Sequence, residues 1–308
     1  MWLTILILVV TLIGIIYGAS FLVDGSSAVA RIFNISEFII GALIVGVGTS
    51  LPELTVSLIG ILNGSSDIAI GNVVGSNIFN ILGILGITAL VFPINVDKSE
   101  TKFDMIFCIG VSMLLTLAVF IVGGGTLTMF SGIGLLLLFG VYTWVSFSQS
   151  NVGVNKINDS EETLWKSVVK IIGGLIILIL SCKYFVDASV DIAKSIGLSE
   201  AVISLTLIAC GTSLPELAAS VVAAFKKNTD LALGNIIGSN IFNITVILGI
   251  CSLVSPLDSI GIGIMDYLIM IVAAIAVFVC SVNGRIGRIS GGLMLLSFIA
   301  YTCWLIFF

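Results

Sequence analysis

The residues with the clearest chemical potential are two glutamates in duplicated surroundings. The stretch Gly48-Thr-Ser-Leu-Pro-Glu-Leu54 recurs letter for letter at Gly211–Leu217, and both copies lie inside long apolar runs. A carboxylate at membrane depth is costly and occurs where it faces a protein interior or a water-filled path. Glu53 and Glu216 therefore predict an ion or substrate site within a membrane protein.

Hydroxyl residues accompany each glutamate at helical spacing. Thr49 and Ser50 precede Glu53 by four and three positions, so their oxygens share one helix face. Thr212 and Ser213 repeat this arrangement in the second copy. These hydroxyls are candidate cation ligands, although each could instead bond to a carbonyl group of the preceding turn.

A second polar motif follows each of the first. Gly71–Asn80 and Gly234–Asn243 differ only in the exchange of two valines for isoleucines. Two pairs of candidate ligands, spaced four residues apart, share a helix face: Ser76 with Asn80, and Ser239 with Asn243. We expect the remaining four asparagines mainly to form hydrogen bonds between helices: Asn72, Asn77, Asn235 and Asn240.

The prolines of the first motif predict breaks in their helices. Pro52 and Pro215 lack an N–H group, so the carbonyls of Gly48 and Gly211 lose their helical donors. Interrupted backbone at membrane depth is tolerated where it lines a cavity, and freed carbonyls there can coordinate a cation. The second and seventh helices should therefore be discontinuous.

The candidate ligands are all oxygen atoms, which suit Ca²⁺ or Na⁺ and argue against Zn²⁺, Cu⁺ or an organic anion. The chain has no histidine, and its six cysteines are scattered without metal-binding spacing. Two ionised glutamates balance one Ca²⁺, and two or three Na⁺ ions could compete for the same oxygens. Such competition is the physical basis of exchange, and no cofactor is expected.

The composition indicates a protein embedded in lipid. The 308 residues are 58% hydrophobic and only 9% charged, with a mean hydropathy of +1.27. No basic tract suggests nucleic acid. The first apolar run lacks a preceding basic segment, so we interpret it as a membrane helix and not as a cleaved signal.

Apolar runs of about 20 residues predict an all-α membrane protein with ten spanning helices. They lie at 2–23, 37–62, 67–92, 104–122, 126–147, 164–186, 198–225, 230–254, 262–281 and 287–307. The glycine-rich second, third, seventh and eighth are expected in the middle of the bundle. With both termini outside, ten of the 12 Lys and Arg residues face the cytoplasm, as the positive-inside rule favours.

The two halves are predicted to be inverted repeats. A shift of 163 positions aligns 48–86 with 211–249 without a gap, and 22 of these 39 positions are identical. Five helices per half reverse the direction of the second half, which is the plan of many secondary transporters. We therefore divide the chain into a first repeat at 1–147, a cytoplasmic linker at 148–163 and a second repeat at 164–308. Asp24 and Asp187 align at the expected ends of the first and sixth helices.

These paired motifs resemble the alpha repeats of the Ca²⁺/cation antiporter superfamily, and the chain is similar to its prokaryotic Na⁺/Ca²⁺ exchangers. The resemblance implies that both glutamates coordinate Ca²⁺ and Na⁺, completed by the hydroxyls and the second-motif residues named above. It adds backbone oxygens at Gly46 and Ala209. It also implies a plasma-membrane antiporter in which the first and sixth helices slide to switch access, and we expect it to work as a monomer.

Several alternatives share these residues. Some prokaryotic relatives carry Asp at one of the positions held here by Asn80 and Asn243, so the Na⁺ stoichiometry is open. Glu53 and Glu216 could carry protons in a Ca²⁺/H⁺ antiporter, and K⁺ co-transport or another divalent ion is a further possibility. A channel would show flux without a counter-ion. An intramembrane serine enzyme is disfavoured because no histidine or mid-membrane lysine could act as base.

Overall fold

The computed structural model describes residues 2–149, 163–195 and 211–307, which are predominantly helical. The helices are α1 (Trp2–Phe33), α2 (Glu37–Thr49), α3 (Leu51–Leu62), α4 (Asp67–Val91), α5 (Lys98–Val122), α6 (Met129–Gln149), α7 (Leu164–Ser195), α8 (Leu214–Phe225), α9 (Thr229–Val254), α10 (Ile264–Ser281) and α11 (Arg288–Phe307). The described residues also contain four two-residue strands: β1 (Ile94–Asn95), β2 (Thr126–Leu127), β3 (Leu257–Asp258) and β4 (Arg285–Ile286).

The described residues contain eight helices that are long and apolar enough to cross a membrane. The bent pair α2 and α3 brings the number of candidate spans to nine. The apolar helix α8 is shorter, and 198–210, the first half of the predicted seventh span, lies outside the described residues. A multi-helical membrane fold is confirmed, whereas the number ten remains a prediction.

The predicted break in the second helix is confirmed. Helices α2 and α3 meet at an angle of 41°, and Ser50 is the single residue between them. Pro52 stands in the first turn of α3, where a missing N–H group costs nothing. In the second copy, Pro215 takes the same position in α8.

The first and sixth helices extend further than predicted. Both α1 and α7 contain 32 residues, so the prediction that they end beside Asp24 and Asp187 is wrong. Two contacts of this extension of α1 reach the second repeat. Asp24 forms an ion pair with Lys226 at 2.6 Å, and Ser27 Oγ accepts a hydrogen bond from the Asn228 side chain at 2.8 Å.

Small residues bring α1 and α7 into close backbone contact along much of their length. A Cβ atom on Gly18 would lie 2.7 Å from the backbone nitrogen of Leu178, and one on Gly174 would lie 2.6 Å from that of Leu22. Glycine is required where two helix backbones approach this closely. Beside these glycines, buried side chains such as Leu22 and Leu178 complete the interface.

Helices α4 and α9 form the centre of the bundle, as predicted for the third and eighth helices. Their most apolar windows are 78% and 83% buried, compared with 28% in α1 and 17% in α7. In a membrane protein, the exposed apolar side chains of the outer helices face lipid. The central helices carry the second polar motif of each repeat.

Two short β-ribbons show the inversion of the repeats. Strand β1, before α5, pairs with β4, which follows α10; strand β2, after α5, pairs with β3, which precedes α10. The start of α5 therefore lies beside the end of α10, and the two helices run antiparallel. Because α5 and α10 hold equivalent places in the two halves, the halves run in opposite directions.

Candidate cation-binding site

The two glutamates are brought together by reciprocal hydrogen bonds between the repeats. Ser50 Oγ donates to Glu216 Oε1 at 2.9 Å, and Ser213 Oγ donates to Glu53 Oε1, also at 2.9 Å. All four side chains are fully buried. Each carboxylate is thus held by the serine that precedes the other.

Four asparagines form a second layer where α4 meets α9. The side-chain nitrogen of Asn77 donates to the carbonyl of Asn240 at 3.1 Å, and Asn240 returns the bond to the carbonyl of Asn77 at 3.2 Å. The side-chain nitrogen of Asn80 donates to Asn240 Oδ1, and that of Asn243 donates to Asn77 Oδ1, each at 3.1 Å. The last two bonds engage the side-chain nitrogens of Asn80 and Asn243 and so fix the orientation of these two amide groups.

The two layers leave four carboxylate and amide oxygen atoms buried without a hydrogen-bond partner. They are Oε2 of Glu53, Oε2 of Glu216, Oδ1 of Asn80 and Oδ1 of Asn243. A buried polar atom without a partner is costly, so such atoms call for a ligand or another explanation. Two carboxylate and two amide oxygens are a suitable ligand set for a hard cation.

Two of the other predicted ligands, Thr49 and Gly46, are already engaged in hydrogen bonds. Thr49 Oγ1 donates to the carbonyl of Val45 at 3.0 Å, as expected for bonding to the preceding turn, and lies 3.1 Å from Asn235 Oδ1. The carbonyl of Gly46 accepts hydrogen bonds from the backbone nitrogen of Ser50 at 3.1 Å and from Ser239 Oγ at 3.2 Å.

Three predicted residues remain: Ser76, Thr212 and Ala209. Ser76 Oγ lies 3.3 Å from Ser213 Oγ, at the edge of the carboxylate layer. Thr212 is half-buried in the turn before α8, and its Oγ1 atom is buried without a hydrogen-bond partner. Ala209 lies outside the described residues.

The expected role of Asn72 and Asn235 in joining helices is confirmed. Asn72 donates to the carbonyl of Glu53 at 3.1 Å, and Asn235 donates to that of Glu216 at 3.2 Å. The same amides reach hydroxyl groups at 3.0 Å and 2.8 Å, which belong to Ser57 and Ser220. These serines were not among the predicted residues, although the aligned repeats contain both.

Wider helical turns lie at the site and were not anticipated. Phe79–Leu85 and Asn243–Ile247 are π-helical and include the two second-motif asparagines, while Gly41–Val45 is π-helical immediately before Gly46. Such turns are uncommon and are frequent at functional sites. They shift the direction of the side chains that follow, which an assumption of regular α-helix cannot reproduce.

Two further buried carboxyl groups lie between outer helices. Tyr142 Oη donates to Asp104 Oδ1 at 2.7 Å between α6 and α5, and Tyr301 Oη donates to Asp266 Oδ1 at 2.8 Å between α11 and α10. The pairs occupy equivalent places in the two repeats. The number of residues between the aspartate and the tyrosine differs slightly between the two pairs. A fixed shift of 163 positions therefore does not align them.

Comparisons with known proteins agree with this arrangement. The family described as sodium/calcium exchanger protein matches residues 3–148 and 166–307. The sodium/calcium exchanger MaX1 of Methanosarcina acetivorans is 31% identical over 343 residues, covering 96% of each chain. The membrane protein MJ0091 of Methanocaldococcus jannaschii is 34% identical over 289 residues, covering 94% of this chain and 93% of its own.

Solved structures of the sodium-calcium exchanger NCX_Mj share the fold. One, soaked with zero Na⁺ and Ca²⁺, superimposes with a TM-score of 0.87 at 32% identity and covers 98% of this chain and 99% of its own. Another, soaked with 2.5 mM Na⁺ and 0.1 mM Ca²⁺, gives 0.84 at 34% identity and 97% coverage of each chain. This chain is therefore a multi-pass membrane protein and belongs to the sodium/calcium exchanger family of cation antiporters.

Proposed function

We propose that this protein exchanges Na⁺ for Ca²⁺ across the cell membrane by alternating access. The observation that carries the proposal is the set of four unpartnered, buried oxygens contributed by Glu53, Glu216, Asn80 and Asn243. Their two formal negative charges match one Ca²⁺. The relatives named for sodium/calcium exchange, and the ions present with NCX_Mj, favour the same substrates.

In this proposal the two glutamates are shared ligands, so that Ca²⁺ and Na⁺ exclude one another. The neutral oxygens form the remaining coordination positions: Thr49, Ser50, Ser76, Asn80, Thr212, Ser213, Ser239 and Asn243, with the carbonyls of Gly46 and Ala209. Gly46 and the hydroxyls that now donate to protein oxygens would turn toward an ion on binding. The ions are substrates, and the protein acts as a transporter without enzymatic chemistry.

We also propose the complete topology of ten spans in two inverted five-helix repeats, with both termini outside. The repeats comprise 1–147 and 164–308, and 148–163 is the cytoplasmic linker. Sliding of α1 and α7 against the other helices would switch access between the two sides. The close, glycine-lined contact between these two helices supports this, because it lets α1 and α7 move together as one unit.

The second candidate is a Ca²⁺/H⁺ antiporter on the same scaffold, with K⁺ dependence as a variant. The observation that favours it is the pair of buried carboxylates. If they stayed ionised when no metal ion is bound, two negative charges would lie far from water. Protons could neutralise them on the return step. The neutral oxygens around them favour Na⁺, because proton transfer needs no such set.

The deciding experiment is Ca²⁺ uptake into proteoliposomes of the purified protein. We expect uptake under an outward Na⁺ gradient and none under an outward proton gradient of equal size. Protein-free liposomes provide the background rate. Uptake driven only by protons would move the assignment to the second candidate, and Ca²⁺ flux that needs no counter-ion would indicate a channel.

Replacing Asn243 by aspartate should change the Na⁺ dependence of exchange more than Ca²⁺ binding. The added carboxylate would favour an additional monovalent cation, but it would lose the bond to Asn77 Oδ1 and face that oxygen instead. The measurement is a Na⁺ titration of Ca²⁺ uptake. Asn95→Asp is the charge-matched control, since Asn95 is exposed in β1, and an unchanged titration for Asn243→Asp would exclude Asn243 as a ligand.

A further inference from the structure

A cavity with two basic residues lies at one end of the seam between α5 and α10. It has a volume of about 190 Å³ and lies between the first turns of α5 and the last turn of α10. Its lining combines Lys98 and Lys102 with the apolar side chains of Met105, Phe278 and Val282. None of its lining residues belongs to the candidate cation site, so it has no part in the proposed exchange.

The two lysines occupy positions that their own helix disfavours. They are four residues apart at the start of α5, so their charges lie side by side and both oppose the positive end of the helix dipole. Asp97 and Glu100 also lie at this helix start, and Asp97 caps the helix by accepting the Ser99 backbone N–H at 2.8 Å. Within the described part of the chain, neither ammonium group forms an ion pair.

An apolar seam exposed to lipid continues from the cavity toward the other end of the helices. On α5, the side of Lys102 continues through the exposed residues Ile106 and Met113. On α10, Val282 and Val279 are exposed beside the same seam. Its opposite end, where α5 finishes and α10 begins, carries no lysine or arginine. The seam thus has one cationic end and a hydrocarbon-facing body.

We propose that this cavity binds the phosphate headgroup of an anionic phospholipid, with an acyl chain lying along the α5–α10 seam. A phosphate between Lys98 and Lys102 offsets their mutual repulsion. Basic pockets between membrane helices are suited to such headgroups. The apolar walls select a lipid over a free anion, which would leave Phe278 and Val282 facing water.

Native mass spectrometry of delipidated protein tests this directly with three ligands: phosphatidylglycerol, phosphatidylcholine and inorganic phosphate. We expect one saturable phosphatidylglycerol site that the zwitterionic lipid fills poorly. The double variant Lys98→Gln/Lys102→Gln should weaken phosphatidylglycerol binding about 30-fold. Each lysine contributes about fivefold at an anionic surface, and the two factors multiply. Val282→Trp, which keeps both lysines but crowds the apolar wall, should also weaken it.

The control is Lys166→Gln/Lys227→Gln, which removes two positive charges that do not line the cavity and should leave the affinity unchanged. Equal affinity for the two lipids, or unchanged binding by the cavity variants, would overturn the proposal. An equal loss in the control would indicate a general charge effect, and phosphate binding as tightly as the lipid would indicate a free-anion site. None of these measurements depends on ion transport.

Discussion

Glu53→Gln and Glu216→Gln should each lower sodium-driven Ca²⁺ uptake by about 30-fold or more. Either change removes half of the formal negative charge of the site and puts an amide nitrogen where an oxygen can bind the ion. Removing one partner of a buried charge interaction costs about 2–5 kcal/mol, and the lower value corresponds to roughly 30-fold. Proteoliposome uptake at fixed Na⁺ gradient measures the loss.

The same variants should remain folded. Glutamine has nearly the same shape, and its oxygen can still accept the bond from the serine of the other repeat. Without ions, two buried carboxylates oppose folding, so neutralising one should hold or raise the melting temperature in ion-free buffer. Added Ca²⁺ should stabilise the natural protein and leave both variants nearly unaffected, because a ligand stabilises only the state that binds it.

Glu100→Gln is a matched control, since it makes the same chemical change at an exposed position at the start of α5. It should keep both the uptake rate and the stabilisation by Ca²⁺. Near-normal exchange in both site variants would exclude the glutamates as shared ligands. Loss of folding in both variants would instead show that the two glutamates support the bundle. The ion site would then be tested by the effect of Ca²⁺ on the melting temperature of Asn243→Asp.

Much of this site could be predicted because the internal repeat places two nearly identical copies of each motif in one chain. The repeat identified Glu53, Glu216 and the second-motif asparagines, and Pro52 predicted the break in its helix. Helical periodicity could not show that each serine holds the carboxylate of the other motif. That pairing depends on contact between residues more than 150 positions apart in the chain.

The remaining differences have identifiable physical causes. The segment after Asp24 interrupts the apolar run, yet α1 continues to Phe33 and its residues 25–30 are buried. The paired strands contain two residues each, which is too short for an alternating pattern to appear. Helix α5 begins at Lys98 because Asp97 caps it, whereas hydropathy placed its start at 104.

Gly238→Ala should lower the free energy of unfolding by about 1–3 kcal/mol, the usual cost of overpacking a tight interface. A Cβ atom at Gly238 would lie 2.3 Å from the Cα and carbonyl oxygen of Ala42. These are backbone atoms, so α2 as a whole must move away from α9. The displacement would also separate Ser239 from the carbonyl of Gly46, and Ca²⁺ affinity should fall with stability.

Gly140→Ala provides the comparison, because nothing lies within 4 Å of a Cβ at that position of α6. It should be neutral or stabilising by up to about 1 kcal/mol, since alanine favours a helix over glycine. Thermal melting in detergent, with and without Ca²⁺, separates the two effects. Gly238→Ala could instead melt like Gly140→Ala and bind Ca²⁺ normally. That result would show that the close contact of α2 with α9 does not position the two repeats around the ion.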